Sequence, residues 1–206
     1  GTVEGLFVRR RGSETVAREP VALPSPHVTA LFRDRDDGLW VGTDAGATRI
    51  TREGAEVVSG GQGLSSDRVL QFLEDLEGSL WVGMQDGGAT RLAQGKFTIY
   101  SAAEGLAGDI AWPIFGDREG NLWVGTKNGG LSRFRKGRFQ TFSAAQGLPS
   151  NAVQSITQAP DGALWLGTRG GGLNRLQNGR VAVYGPAQGI PNAATSALLT
   201  TRDGSL

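Results

Sequence analysis

A tryptophan returns along this chain at a nearly constant interval. Trp40, Trp81, Trp123 and Trp165 are separated by 41, 42 and 42 residues. Each sits in the same setting: Asp117–Thr126 reads DREGNLWVGT, Asp34–Thr43 DRDDGLWVGT, Asp75–Met84 DLEGSLWVGM and Ala159–Thr168 APDGALWLGT. Self-similarity at a fixed period of this size marks a repeat architecture. One unit cannot bury its apolar face alone and must stack on the next.

Inside a unit the pattern is four short strands. In the third, Ile110–Gly116 is apolar and partly β-branched, and a turn at Asp117–Gly120 leads into Leu122–Thr126. Asn128-Gly129 reads as a tight primed hairpin, because such a turn needs positive φ at its central positions. Leu131–Arg135 follows, and Lys136-Gly137 turns the chain into Phe139–Phe142. No stretch sustains the 3.6-residue periodicity of a helix. Four-stranded units of this length with one internal tryptophan are the pattern of β-propeller blades.

The expected fold is therefore an all-β propeller, a single domain over 1–206, with units at about 24–65, 66–107, 108–149 and 150–191. Residues 192–206 and 1–23 make a split unit, with strands expected at Ala194–Thr200, Leu6–Arg10 and Thr15–Arg18. Pooling these terminal strands gives five blades; otherwise the chain is a fragment of a larger ring. Gly1-Thr2 matches the residues after each tryptophan, and Asp203–Leu206 matches those before it. The chain is expected to be a piece of a longer protein.

Composition narrows the partners. With 21 basic and 20 acidic residues the net charge is +1, so electrostatics offers no reason to expect nucleic acid. No apolar run is long enough to span a bilayer, and no membrane contact is expected of this segment. The absence of cysteine removes disulfides, thiolate metal sites and a cysteine nucleophile. Gly, at 33 of 206 residues, fits many tight turns.

Residues shared by all units build the scaffold. The tryptophans are expected to fill the space between sheets. Gly42, Gly83, Gly125 and Gly167 mark close approach of backbones. Asp34, Asp75 and Asp117 open a turn and can accept from backbone N–H groups. Calcium, the functional alternative at these turns, wants about six to eight converging oxygens, and only the Asp36-Asp37 pair clusters. One arginine recurs per unit, Arg9, Arg49, Arg91, Arg133 and Arg175, and is expected to form an outward or inter-blade ion pair; a stacked ring gripping an anion is the alternative, against which the regular placement argues. Leu64, Leu106, Leu148 and Ile190 are expected to plug the seams between units.

Function should lie where units differ while geometry does not. Directly after each Gly-Thr or Gly-Met pair stand Val3, Asp44, Gln85, Lys127 and Arg169. Placed on the hairpin between second and third strands, these side chains would ring one mouth of a propeller. The candidate ligand-binding residues are thus Asp44, Gln85, Lys127 and Arg169. Trp112, off the tryptophan phase, occupies the place of Thr29, Leu70, Gln154 and Thr195 near the start of an innermost strand. It can stack on a flat ligand such as a sugar, or plug the channel. His27 is the sole histidine. No catalytic set, metal site or cofactor site is read from the sequence.

The combined motif G-[LI]-[PS]-x-[ND]-x-V, D-x-x-G-x-L-W-V-G-T and G-G-L-x-R-[FL], shown best by Gly147–Val153 and Asp117–Phe134, resembles the two-component regulator propeller repeat. Unit one departs, with Ala22-Leu23 for Gly-Leu, and unit four has Ala159 for the turn aspartate. The resemblance implies an extracytoplasmic sensor module of a bacterial membrane-anchored signalling protein, on the periplasmic or extracellular side. It implies recognition of a small polar ligand, such as a glycan fragment, or of a protein partner, and is compatible with a dimeric parent. A protein-interaction scaffold and a propeller lyase of the streptogramin-cleaving kind are the alternatives.

Overall fold

The computed structural model describes residues 1–9, 11–12, 14–190 and 195–206. They form two compact units, Gly1–Ile99 and Tyr100–Leu206. Among the described residues every regular element is a strand or a three-residue 3-10 turn.

In the first unit β1 (Phe7–Val8) and β2 (Ala17–Arg18) form a two-stranded ladder. Then come β3 (Val28–Arg33), β4 (Leu39–Thr43), β5 (Gly46–Ile50) and β6 (Ala55–Val58), paired in that order. The next sheet is β7 (Val69–Glu74), β8 (Leu80–Met84), β9 (Ala89–Ala93) and β10 (Lys96–Tyr100). The second unit holds β11 (Ala111–Gly116), β12 (Leu122–Thr126), β13 (Leu131–Arg135) and β14 (Arg138–Phe142). It also holds β15 (Val153–Gln158), β16 (Leu164–Thr168), β17 (Leu173–Gln177) and β18 (Arg180–Tyr184). Each sheet is an antiparallel meander of consecutive strands, as expected of a propeller blade.

Within each unit the two four-stranded sheets bury their apolar faces on each other. In the first unit Trp40 joins Val69, Phe72, Leu80, Val82 and Met84, with Leu64 from the connecting loop. In the second, Trp123, Leu131 and Phe142 meet Val153, Ile156, Leu164 and Leu166, with Leu148 from the loop. Leu64, Leu106 and Leu148 are each at most 3% exposed, as seam plugs should be, whereas Ile190 is only half-buried. The glycine two residues after the tryptophan marks a close approach, to the next sheet at Gly42 and to the 195–206 segment at Gly167. A Cβ at Gly42 would lie 2.6 Å from Val69 Cγ1, and one at Gly167 would lie 2.3 Å from the Thr195 carbonyl oxygen.

The turn aspartate binds more than backbone. Asp34 Oδ1 accepts from the Gly38 N–H at 2.7 Å, while Oδ2 accepts from Trp40 Nε1 at 2.9 Å and Arg49 Nε at 2.8 Å. Asp75 accepts from the Ser79 N–H and Trp81 Nε1, both at 2.8 Å. Asp117 accepts from the Asn121 N–H and Trp123 Nε1, both at 2.7 Å. A buried indole N–H needs such a partner. The recurring arginine covers the other side of the ring, with Arg49, Arg91 and Arg133 at 5.8, 5.7 and 5.7 Å from their tryptophans. In the fourth sheet Ala159 replaces the aspartate. Asp161 takes over the turn, accepting from the Ala163 N–H at 3.0 Å and Arg175 Nη2 at 2.5 Å.

A second repeated bond ties each connecting loop to the third strand of the following sheet. The Ser65 N–H donates to Thr90 Oγ1 at 3.0 Å, and the Ala107 N–H to Ser132 Oγ at 2.8 Å. In the first and fourth sheets the loop residue is Pro24 or Pro149, which has no N–H to give. There Thr48 Oγ1 donates to the Ala22 carbonyl at 3.3 Å, and Asn174 Nδ2 turns to carbonyls including Gly171 and Gly172, each at 3.2 Å.

Two expectations are corrected. Asn128-Gly129 is not a two-residue primed turn. The Thr126 N–H donates to the Gly130 carbonyl at 2.9 Å, closing a three-residue loop with positive φ at Gly130. The Thr126 hydroxyl latches this loop, donating to the Gly130 carbonyl and accepting from the Gly129 N–H, both at 3.0 Å. Positive φ at both central residues falls instead between third and fourth strands, at Gln94-Gly95, Lys136-Gly137 and Asn178-Gly179. Second, no strand forms over 195–206 among the described residues. That segment follows β15 and β16 through isolated bonds, Thr195 N–H to the Thr168 carbonyl and Thr200 to the Thr157 hydroxyl, rather than through a ladder. Arg10 and Ala194, at the ends of two expected terminal strands, lie outside the described residues.

Candidate functional site

Every first strand carries a β-bulge near its start. Register shifts fall between Val28 and Ala30, Val69 and Gln71, Ala111 and Ile114, and Val153 and Ser155. The residue following the bulge's first pair is Thr29, Leu70, Trp112 and Gln154 in turn. This is the phase at which the sequence sets Trp112 apart. A bulge re-aims side chains and interrupts pairing, and bulges gather beside active sites. Trp112 keeps 44% of its surface exposed between the buried Ala111 and Pro113, so its ring is outside the packed core. Thr29 Oγ1 and Gln154 Oε1 are buried and bonded to nothing in the protein. A buried acceptor or donor without a partner costs about 1–3 kcal/mol, so a partner from water or a ligand is favoured.

The candidate loop residues flank these bulges. The Gln85 N–H donates to the Arg68 carbonyl at 3.0 Å, Lys127 to Ile110 at 3.3 Å and Arg169 to Ala152 at 2.9 Å. Each acceptor lies just before β7, β11 or β15. The hairpin between second and third strands therefore sits at the end where the first strand begins, as expected. Asp44 and Gln85 fall in the first unit and are half-buried. Trp112, Lys127 and Arg169 fall in the second, with both cations exposed. There an aromatic face, two cations and an unpartnered amide oxygen share corresponding ends of neighbouring sheets.

Asp44 has partners that sequence reasoning missed. His27 Nδ1 lies 3.1 Å from Asp44 Oδ2, and the His27 N–H donates to Ser25 Oγ at 3.1 Å. Hydrogen bonds from Ser25 and then His27 hold the Asp44 carboxyl below the usual aspartate range. These residues are 17 positions apart, but the start of β3 lies beside the β4–β5 hairpin through the Val28–Thr43 pair. Only pairing places them together. A further signal was available: Thr29 and Gln154 occupy Trp112's phase, and two polar residues at a bulge on an inner strand are worth inspecting.

The turns do not converge on a cation. Asp37 pairs with Arg33 at 2.7 Å, and Asp36 lies 3.7 Å from Arg49. No group of three or more His, Cys, Asp or Glu residues gathers among the described residues.

The model of the family described as two component regulator propeller matches residues 22–45, 105–128 and 147–170. Each match runs from a connecting loop through the bulged first strand to the hairpin after the second. Three stretches of the chain thus match the two component regulator propeller repeat. Its fold is that of solved propeller structures. The extracellular domain of a protein described as a hybrid two component system of B. thetaiotaomicron superposes with a TM-score of 0.76 at 18% identity, over 86% of this chain and 26% of that one. The extracellular domain of a one component system of the same organism gives 0.71 at 23% identity, over 86% and 27%. A catalytically inactive virginiamycin B lyase from Staphylococcus aureus, solved with quinupristin, gives 0.63 at 19%, over 82% and 58%. The propeller chain thus spans about a quarter of the length of the two signalling domains. No curated protein sequence matches it.

Proposed function

We propose that this propeller segment belongs to the extracytoplasmic part of a bacterial signalling protein and recognises a small polar ligand, of which a glycan fragment is the leading class. The observation that carries the reading is the bulge position of the second unit. An exposed indole and an unpartnered amide oxygen stand there beside the Lys127 and Arg169 loops. An aromatic face stacks on a sugar ring, amides and cations bond its hydroxyls, and rigid strands hold them in place. Fold likeness to extracellular signalling domains supports the location and the role.

The test is a thermal-shift screen with neutral and acidic oligosaccharides, followed by calorimetry. Saturable stabilisation by one saccharide class, removed by Trp112→Ala and weakened by Gln154→Ala, supports the site. Stabilisation that survives both substitutions refutes it.

A second reading rests on His27. Asp44 fixes one imidazole nitrogen, as a base-orienting carboxylate does. The fold likeness to virginiamycin B lyase gives an enzyme reading a place to start. Turnover of quinupristin, abolished by His27→Ala, would favour it over ligand sensing.

A further inference from the structure

The hairpin between β13 and β14 differs from its counterparts in charge. It gathers Arg133, Arg135, Lys136 and Arg138 around a shallow groove of about 370 Å³, completed by Phe139 and Gln140. Arg133 is occupied: it lies over Trp123 and donates from Nη2 to Gln140 Oε1 at 2.5 Å. Arg135, Lys136 and Arg138 are exposed, and no ion pair among the described residues involves them. The equivalent hairpin of the first sheet mixes Arg52 with Glu53 and Glu56. That of the second has Lys96 alone beyond its recurring arginine, and that of the fourth Arg180 alone. The whole chain is nearly neutral at +1, so this is a local concentration of charge.

The same hairpin ends in an open sheet edge. β14 is the last strand of its sheet and pairs only with β13. Arg135 faces Arg138 across the Lys136-Gly137 turn. In a hairpin closed this way the flanking pair bonds across the ladder and the next pair does not. The backbone N–H and C=O of Phe139 and Thr141 therefore point away from β13. Phe139 is half-buried between Phe134 and Tyr100, with ring centroids 4.9 and 5.5 Å away, so the edge strand is held by its own aromatic packing.

We propose that the β14 edge and its cationic hairpin dock an extended acidic polypeptide segment of a partner protein. A polypeptide strand supplies what this surface lacks: backbone groups for Phe139 and Thr141 and carboxylates for Arg135, Lys136 and Arg138. Other polyanions match the charge but not the backbone edge. The site is separate from the bulge position and does not rest on the ligand reading. The competing account is that the cations merely guard the edge against pairing.

The test titrates the 206-residue chain with a fluorescent peptide of alternating glutamate and valine. A peptide of the same composition with prolines at alternate positions, and sulfated dextran, run in parallel. Docking predicts saturable binding that weakens with added salt and weakens about tenfold or more in the Arg135→Glu, Lys136→Glu, Arg138→Glu variant. The proline peptide is likewise weaker, because it cannot pair along the edge. The melting temperature of the variant stays near that of the parent, since all three side chains are exposed. Absence of saturable binding overturns the proposal. So does binding of the proline peptide or sulfated dextran with equal strength, which is simple charge attraction.

Discussion

Replacing Asp117 by alanine tests the bond between turn and tryptophan directly. Asp117 is 7% exposed, and its donors Asn121 and Trp123 are 6% and 5% exposed. Removing the carboxylate orphans the Asn121 N–H and the Trp123 indole N–H, while Asn121 Nδ2, at 2.6 Å from Oδ2, can reorient. At about 1–3 kcal/mol for each of the two orphaned buried donors, the loss is about 2–6 kcal/mol. A protein of this size loses roughly 2–4 °C of melting temperature per kcal/mol, so the fall is roughly 4–24 °C. Urea and thermal unfolding followed by far-ultraviolet circular dichroism measure it without relying on tryptophan emission. A double-mutant cycle with Trp123→Phe isolates the indole bond, with an expected coupling of about 0.5–3 kcal/mol. A loss below about 0.5 kcal/mol, or strict additivity with Trp123→Phe, refutes the reasoning, because a surface substitution alone does that much.

The fourth sheet offers the converse experiment: Ala159→Asp should supply the acceptor that Trp165 lacks from its turn and raise stability by about 0.5–1.5 kcal/mol in urea unfolding. Ser132→Ala removes the acceptor of the Ala107 N–H and should cost about 1–3 kcal/mol, whereas Ser132→Thr should retain the bond. Asp34 titrates below the ordinary aspartate range: burial raises its pKa, but the hydrogen bonds from Arg49, Gly38 and Trp40 and the Arg49 charge outweigh it. Its contribution is therefore complete above about pH 4 and is lost as pH falls through the lowered folded value. Asp34→Asn should flatten that part of the acid limb of the stability curve and lower stability at neutral pH.

Much of the candidate site was legible as a difference between repeats, because the bulge keeps a constant phase. Trp112 stood out for being aromatic where Thr29 and Gln154 are polar, and the hairpin residues Gln85, Lys127 and Arg169 lie where strand order puts them. The indole bond was also within reach. Aspartate and tryptophan stand six residues apart in three units, and the fourth lacks the aspartate. Asn128-Gly129 by itself points to a two-residue turn, but the hydroxyl of Thr126 bonds at Gly129 and Gly130 and closes a longer loop. The compensation at Pro24 and Pro149 shows only when loop and third strand are seen side by side.

The chain's own order of residues settles the repeat, its strand count, the tryptophan core and the glycines at close approach. All of these follow from interactions within a unit or with the next, so one period carries the information. Tertiary pairing alone decides that Asp44 holds His27, that Gln154 Oε1 and Thr29 Oγ1 are buried without partners, and that three cations border an open strand edge. Those features depend on which side chains meet across register and on where a ladder stops. Spacing along a polypeptide does not encode either one until the strands are aligned.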